Sequence, residues 1–493
     1  MSQLSATNLP ENIRTPAYNR DAVTTGIVHF GIGNFHRAHQ ALYCDDLLAL
    51  GDIQENLQWG ITGISLRSAA MKEALAPQDF LYTHTILGAT TAYRIIGAVK
   101  NILVAPQTPQ AVIDLLAKPA TQLVSSTITE KGYYLSSGAV DFDHADLRAE
   151  VTSLDTPKTI YGFLARGIIK RSQDTPQDSH AAKMTIMCCD NISGGGAFLK
   201  DGVQHLLAIH SPEALAWSRT HIGFISSMVD RVCPATDDKL RAQVLKDTGR
   251  EDSWPVSAEP FTQWIIETGF VGARPDFDKV GAVFVEDIAP FERMKLRYLN
   301  AAHTIASTLG YLSGDTYVHE ALERPEVLSF MRKALYENVL PHAAVPQGYD
   351  GSSYIEDVIT RFQNGNLPYA NLQVGTDSSQ KIQQRWLPTI DAAIAKNADT
   401  SYFEFCLGAW VIFIQTALEN ECLNDPKAEA LQSVTTDDID ANARAYLKIA
   451  NADQFKFYSD TDFMSAAISH AKMIKTNGVT DSLLGPRSLK RPK

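Results

Sequence analysis

Long apolar runs are missing from this sequence: no stretch approaches the ~20 residues that cross a bilayer, and the polar N-terminus MSQLSATNLPENIRTPAYNRD has no apolar signal core. The reading is therefore a chain without a membrane partner, in the cytoplasm. Cysteine is scarce. Six residues in 493 (Cys44, Cys188, Cys189, Cys233, Cys406, Cys422) include no C-x-x-C pair, which excludes a disulfide framework and leaves them as small buried apolar side chains. Excess positive charge is absent too, with 44 Lys and Arg against 56 Asp and Glu and a net charge of -12. No basic field exists to hold nucleic acid, and the short basic tail Arg487 to Lys493 reads as a solvated terminus. There is no four-cysteine cluster and no histidine paired with cysteine at ligand spacing, so no metal site is expected.

What is present is enough apolar residue, 45% of the chain, to bury the cores of two or three domains. From residue 24 to 290 short apolar runs alternate with helical patterns: GIVHFGIG, WGITGISL, AYRIIGAV, QLVSSTIT, MTIMCCDN and VGAVFVED. Such alternation predicts an α/β fold, a mainly parallel, doubly wound sheet with helices on both faces and ligands at the strand C-termini. Beyond PFERMKLRYLNAAHTIASTLGYL the apolar residues recur at three- and four-residue spacing, which predicts helices. The expected division is a dinucleotide-binding domain over 1–287 and a mainly helical, substrate-binding domain over 288–493. The polar stretch RSQDTPQDSHAAK, residues 171–183, reads as an exposed loop.

The first run ends in GIVHFGIGNFHRAH. In a nucleotide-binding strand–turn–helix one glycine makes the tight turn, a second admits the pyrophosphate and a third relieves helix–strand packing. Gly31 and Gly33 take the first two places, with Asn34 and Phe35 opening the helix; His36 occupies the third and implies a wider helix–strand spacing. By its residues alone the turn is equally a plain structural turn, but its position at the end of the first strand favours a dinucleotide. The second strand ends at Arg67 and Ser68 with no carboxylate for a ribose diol, and Arg67, Ser68 and Lys72 tolerate a 2′-phosphate. NAD and NADP both stay open.

In FERMKLRYLNAAH, Lys295, Asn300 and His303 fall at about 0°, 140° and 80° around an α-helix and so share one sector. The plain alternative is a snorkelling surface lysine. Alcohol oxidation gives these residue types a purpose: an amine of lowered pKa takes the hydroxyl proton, and amides stabilise the oxyanion without adding charge. Asn191, after the strand MTIMCCD, supplies a second amide.

The segments GIVHFGIGNFHRAHQA, TITEKGYY, CDNISGGG, SSMVDRVCP, EPFTQWIIE and MKLRYLNAAH, in this order over most of the chain, resemble the polyol-specific long-chain dehydrogenase/reductase family. The resemblance implies metal-independent hydride transfer with a nicotinamide cofactor, NAD by family frequency and NADP as the alternative. It further implies Lys295 as general base, an oxyanion hole from Asn191 and Asn300, and substrate hydroxyls bound by His303, Asp230 and Lys381. Glu292, one helical turn before Lys295, relays the proton in this reading. Two departures are visible. Ala69 and Ala70 stand where NAD-linked members carry acidic residues, and Gln373 stands where an arginine helps grip the hexitol. The implied substrate is a sugar alcohol or ketose, D-mannitol and D-fructose first, with a monomer or weak homo-oligomer. A hexuronate reductase is the enzyme alternative, with Lys381, Arg385 or Arg231 as the cation for the carboxylate. A zinc alcohol dehydrogenase and a non-catalytic nucleotide sensor are the more distant classes.

Overall fold

Eight short strands pair into the sheet that organises the N-terminal part of the chain. They are β1 Thr25–Phe30, β2 Gly60–Ser65, β3 Val99–Val104, β4 Leu123–Ser126, β5 Met184–Cys188, β6 Ile222–Asp230, β7 Gln263–Glu267 and β8 Val283–Val285. The structure, a computed structural model, describes residues 2–50, 54–136, 138–175 and 179–484; the basic tail read above lies outside them. The chain divides into two compact units, Met1–Ile288 and Ala289–Lys493.

In the first unit the strand order is β8-β7-β6-β5-β4-β1-β2-β3. All pairings are parallel except β6 with β7. Strands three to eight of this order reproduce the doubly wound 3-2-1-4-5-6 arrangement, whose direction reverses between β1 and β4 and opens a crevice at their carboxyl ends. Side chains along each strand alternate between two apolar layers: Ile27 joins one, Val28 and Phe30 the other. A strand covered on both faces has no polar face to show, which explains the unbroken apolar runs in the sequence. The helices Pro109–Ala117, Ile160–Asp174 and Gly195–His210 cover one face. Two helices on the other, α1 Asn34–Ala38 and α2 Gln40–Leu48, share it with a three-stranded side sheet.

That side sheet revises one expectation. The run AYRIIGAV is not one strand of the main sheet. Thr91–Ile96 pairs antiparallel with Tyr82–Leu87, Val256–Ala258 completes the side sheet, and β3 begins only after Gly97 and Ala98. The break is anchored by Asp45, which accepts from the Gly97 N–H at 2.8 Å and pairs with the buried Arg94 at 2.5 Å. The stretch 171–183 is likewise not a simple exposed loop. The helix runs to Asp174, and the fully buried Arg171 donates to the carbonyls of Leu116, Lys118, Ala181, Ala182 and Lys183. Burial pulls its guanidinium down to about 10; residues 176–178 lie outside those described.

The second unit is helical among its described residues. At its centre lies the helix Ser401–Glu419, which is long and apolar enough to cross a membrane, contrary to the reading of the sequence; 89% of its apolar window is buried inside the protein. Phe403, Trp410, Phe413 and Ile414 on this helix pack against Ile305, Leu309, Phe330, Trp386 and Phe463. A helix apolar on every side is what the core of a large helical unit requires.

Candidate active site

The glycine turn sits at the crevice between β1 and β4. Gly31 has φ +93°, and a Cβ there would stand 2.0 Å from the Thr127 carbonyl oxygen; only glycine fits both the turn and the close approach. At Gly33 the nearest atom to such a Cβ is 3.9 Å away, so its open side faces free space. That space is a cavity of about 440 Å³ lined by Gly31, Gly33, Ser65, Arg67, Ser68, Thr127, Thr129, Lys158 and Thr159 among others, within the size range of cofactor sites. Lys72, Asn34 and Phe35 are not among its lining residues. Asn34 instead donates to the Pro234 carbonyl and the Thr236 hydroxyl, both at 3.2 Å, and accepts from Arg37. Phe35 stacks on His39.

His36, in the third glycine's place, is fully buried and stacks on His29 at 3.5 Å between ring centroids. The ring takes up the space between helix and strand, and α1 ends after five residues before α2 begins. His29 in turn hydrogen-bonds Ser125 and Thr127, each at 2.8 Å, and Thr127 donates to the Gly31 carbonyl at 2.8 Å. The turn is thereby tied to the neighbouring strand by side chains rather than by a third glycine. Burial pushes His29 down to about 3 and His36 well below its ordinary range, so both rings are neutral.

A residue that sequence reasoning missed fixes the far wall. Asp190 accepts from the Ile128 and Thr129 N–H groups at 2.9 and 2.8 Å and from the Tyr133 hydroxyl at 2.6 Å. Thr129 lines the cavity with φ +66°, a conformation that costs a non-glycine residue about 1–3 kcal/mol and needs such anchoring. Burial raises the Asp190 carboxyl, and the three donors oppose it. Its place beside Asn191 at a strand end was the available signal. Asn191 follows β5 and is exposed, and Asp230 is the last residue of β6 and is buried. Both stand at the carboxyl edge of the sheet. The helix after CDNISGGG packs so closely on β6 that a Cβ on Gly196 would lie 2.5 Å from the Ile225 carbonyl carbon.

In the second unit the lysine lies on an irregular helix. The α-helix α3 Ala289–Lys295 is followed by a π-helical turn, Leu296–Asn300, and by α4 Ala301–Leu312. The Ala301 N–H reaches the Leu296 carbonyl five residues back. This corrects the α-helical angles: a π turn holds more residues, so Lys295 and Asn300, five apart, come nearer to one face than α spacing allows. Lys295 and Asn300 are each 8% exposed.

The widened turn leaves carbonyls for partners outside the helix. Arg385, on α5 Ser378–Arg385, donates to the Asn300 carbonyl at 3.1 Å and to the Thr304 hydroxyl at 2.8 Å, and the Trp386 indole donates to the Ala301 carbonyl at 3.2 Å. Burial lowers the Arg385 guanidinium to about 10. His303 stacks on Phe362 at 4.0 Å, edge-on to Tyr369. Its Nε2 is buried without a hydrogen-bond partner in the protein. Burial, with Arg385, Arg361, Lys381 and Lys295 around it, holds the ring well below its ordinary range and therefore neutral. The ring and these four cations form one polar cluster.

Lys381 donates to the Val374 carbonyl and the Thr376 hydroxyl at 3.2 and 3.3 Å. Gln373 is exposed on the short helix Asn371–Val374, and Glu292 lies on α3 one turn before Lys295. Of the cations considered for a carboxylate, Arg231 is buried and bonded to the carbonyls of Ala38 and Glu259, and Arg385 is bound to α4. Among the described residues no three His, Cys, Asp or Glu side chains come together as metal ligands.

The family described as mannitol dehydrogenase Rossmann domain matches residues 25–279, and that described as mannitol dehydrogenase C-terminal domain matches residues 287–472. A mannitol 2-dehydrogenase of Phaeosphaeria nodorum is 34% identical over 87% of this chain and 77% of its own. A polyol:NADP oxidoreductase of Gluconobacter oxydans is 30% identical over 96% and 97%. Among solved structures, a substrate-free D-sorbitol dehydrogenase superposes with a TM-score of 0.88 at 29% identity, covering 98% of this chain and all of that one. The Pseudomonas fluorescens mannitol 2-dehydrogenase in complex with NAD and D-mannitol gives 0.81 at 32% identity, covering 98% and 99%.

Proposed function

Since the chain belongs to the mannitol dehydrogenase family, we propose that it is an NAD(P)-dependent polyol dehydrogenase that interconverts a hexitol and a 2-ketohexose, D-mannitol and D-fructose being the first pair to test. The observation that carries the reading is the π turn that brings Lys295 and Asn300 towards one face beside a neutral His303.

The cavity at the glycine turn fits a dinucleotide: Gly33 leaves its backbone open, and Gly31, Arg67 and Ser68 line the same space. Asn34 and Phe35 lie outside its lining, their side chains being engaged elsewhere. The nicotinamide, when bound, accepts or returns the hydride. The protein's own residues handle the proton and the charge. In oxidation Lys295, as the neutral amine, takes the hydroxyl proton while the carbinol carbon loses hydride. Asn191 and Asn300 each offer an amide N–H to the oxygen as negative charge grows on it. His303, with a buried nitrogen lacking a protein partner, satisfies that nitrogen with a substrate hydroxyl. Asp230, Lys381 and Gln373 hold further hydroxyls, and Glu292 passes the proton towards solvent.

A hexuronate substrate is disfavoured, because Arg231 donates from Nε and both terminal nitrogens to protein carbonyls, and Arg385 has one terminal nitrogen committed to the Asn300 carbonyl and the Thr304 hydroxyl. The test is a panel of polyols, ketoses and hexuronates assayed with NAD(H) and NADP(H) after exhaustive chelation. Turnover of hexitols that survives chelation supports the reading; turnover of hexuronates alone, or loss of activity on chelation, refutes it.

A further inference from the structure

A second cavity adjoins the first. It has a volume of about 620 Å³, is lined by Ala105, Pro106, Pro109, Asp146, Thr156, Pro157 and Phe163, and shares Leu66, Arg67, Tyr134 and Lys158 with the cavity at the glycine turn. Two cations thus stand at the seam. The lining of the first cavity contains no carboxylate, and that of the second contains one, Asp146. A ribose diol is ordinarily held by a carboxylate at the end of the second strand, and an arginine there accommodates a 2′-phosphate instead.

We propose, on the reading that the chain binds a nicotinamide dinucleotide, that Lys158 and Arg67 together grip the 2′-phosphate of NADP(H), with the adenosine end in the second cavity. Three observations carry this. First, Lys158 is set by its surroundings although its side chain is exposed. The buried Glu150 accepts from the N–H groups of Lys158 and Thr159, both at 2.7 Å, and from the Thr159 hydroxyl at 2.6 Å. The main chain that presents the lysine is therefore fixed before any ligand arrives. Second, Arg67 comes from a turn with its own internal bonds: Ser65 donates to the Ser68 carbonyl at 2.6 Å, and the Ser68 hydroxyl accepts from the Ala70 N–H. Third, the one carboxylate in the linings of the two cavities is engaged. Asp146 accepts from the Tyr134 hydroxyl at 3.3 Å. The 15-residue helix Ile160–Asp174 begins directly after this lysine, with Thr159 and Ile160 in the first cavity's lining, and its positive end adds to the attraction for an anion. Sequence reading singled out Lys72 for this task; Lys158, some ninety residues later in the chain, lines the cavity in its place.

The experiment is calorimetric titration of the full chain with NADP+, NAD+, 2′,5′-ADP and 5′-AMP, for the wild type and for Lys158→Ala, Lys158→Arg and Asp146→Asn. The wild type is expected to bind NADP+ more tightly than NAD+, and 2′,5′-ADP more tightly than 5′-AMP. Lys158→Ala should weaken only the two 2′-phosphorylated probes, by about tenfold for the loss of one charge-assisted contact, and Lys158→Arg should restore them. If Lys158→Ala leaves all four affinities unchanged, or lowers them equally, the 2′-phosphate assignment falls while the nicotinamide reading stands. If Asp146→Asn weakens NAD+ and 5′-AMP selectively, that carboxylate holds a diol and the assignment falls as well. If the wild type binds none of the four, both readings fail together.

Discussion

The two units build their sites from different materials. In the first, the cavity is shaped by main chain: a glycine at φ +93°, strand ends at the reversal of the sheet, and a threonine pinned by a carboxylate. In the second, the chemistry rests on side chains carried by one helix whose register is shifted by a π turn. Main-chain sites leave glycines in the sequence, because no other residue fits. A shifted register leaves no residue type that announces it, since the widened turn is held by partners from elsewhere in the fold, here Arg385 and Trp386. The lesson is that binding and catalysis in this protein should separate under mutation.

The sharpest way to break that separation is at Lys295. Replacing it with alanine removes the proton acceptor and leaves the first unit's cavity untouched, so polyol oxidation should fall on the order of a hundredfold or more. Cofactor affinity by titration should hardly change; a variant that turns over normally, or that loses nucleotide binding with activity, contradicts the assignment. In the active enzyme, oxidation should rise with pH and ketone reduction fall, because one direction needs the free amine and the other the ammonium.

Gly31→Ala probes the other side. The added methyl meets the Thr127 carbonyl and the backbone is strained, at a cost of about 1–3 kcal/mol. Nucleotide affinity should drop about tenfold or more, and the melting temperature of the first unit should fall. Unchanged nucleotide binding would mean that the turn does not shape the cofactor site.

Arg385→Met tests the π turn. Without the donor to the Asn300 carbonyl, kcat should decline about tenfold with KM for the polyol less affected and nucleotide affinity constant, and Arg385→Lys should recover part of the loss. An equal rise in KM with kcat unchanged would make Arg385 a substrate-binding group rather than a positioning one.

The smallest effect concerns pH and stability. His29 has its folded value near 3 against about 6.5 unfolded, so between these the unfolded chain binds the extra proton and stability rises with pH. Below pH 6.5 the ring therefore costs stability, by up to about 1.4 kcal/mol per pH unit. His29→Asn should flatten the slope of unfolding free energy between pH 6.5 and 4.5, measured by urea titration, whatever its effect at neutral pH. An identical slope would place the ring in contact with solvent.

Much of the fold was legible because it follows from local pattern. Continuous apolar strands at regular spacing announced the parallel sheet, and helical spacing after residue 290 announced the second unit. What failed was local pattern without its partners. AYRIIGAV reads as one strand until Asp45 is seen to hold Gly97 and Arg94. Arg171 reads as a loop cation until five carbonyls surround it. The reading that no stretch approaches membrane-spanning length passes over Ser401–Glu419, whose apolar length is explained only once its neighbours bury it.

At the site the same division holds. Gly31 and Gly33, the lysine helix with Asn300 and His303, the amide after the fifth strand and the want of a carboxylate after the second are all properties of short segments, and the sequence by itself determined them. The tertiary structure decided that His36 replaces a glycine by stacking on His29, that Asp190 anchors Thr129, that Lys158 rather than Lys72 lines the cavity, and that a π turn brings Lys295 towards Asn300. Each of these depends on atoms tens of residues apart or on partners from another element. Sequence spacing encodes which face of a regular helix or strand a side chain occupies; burial and hydrogen bonding between distant segments decide where that regularity is broken and which charge stands beside which cavity.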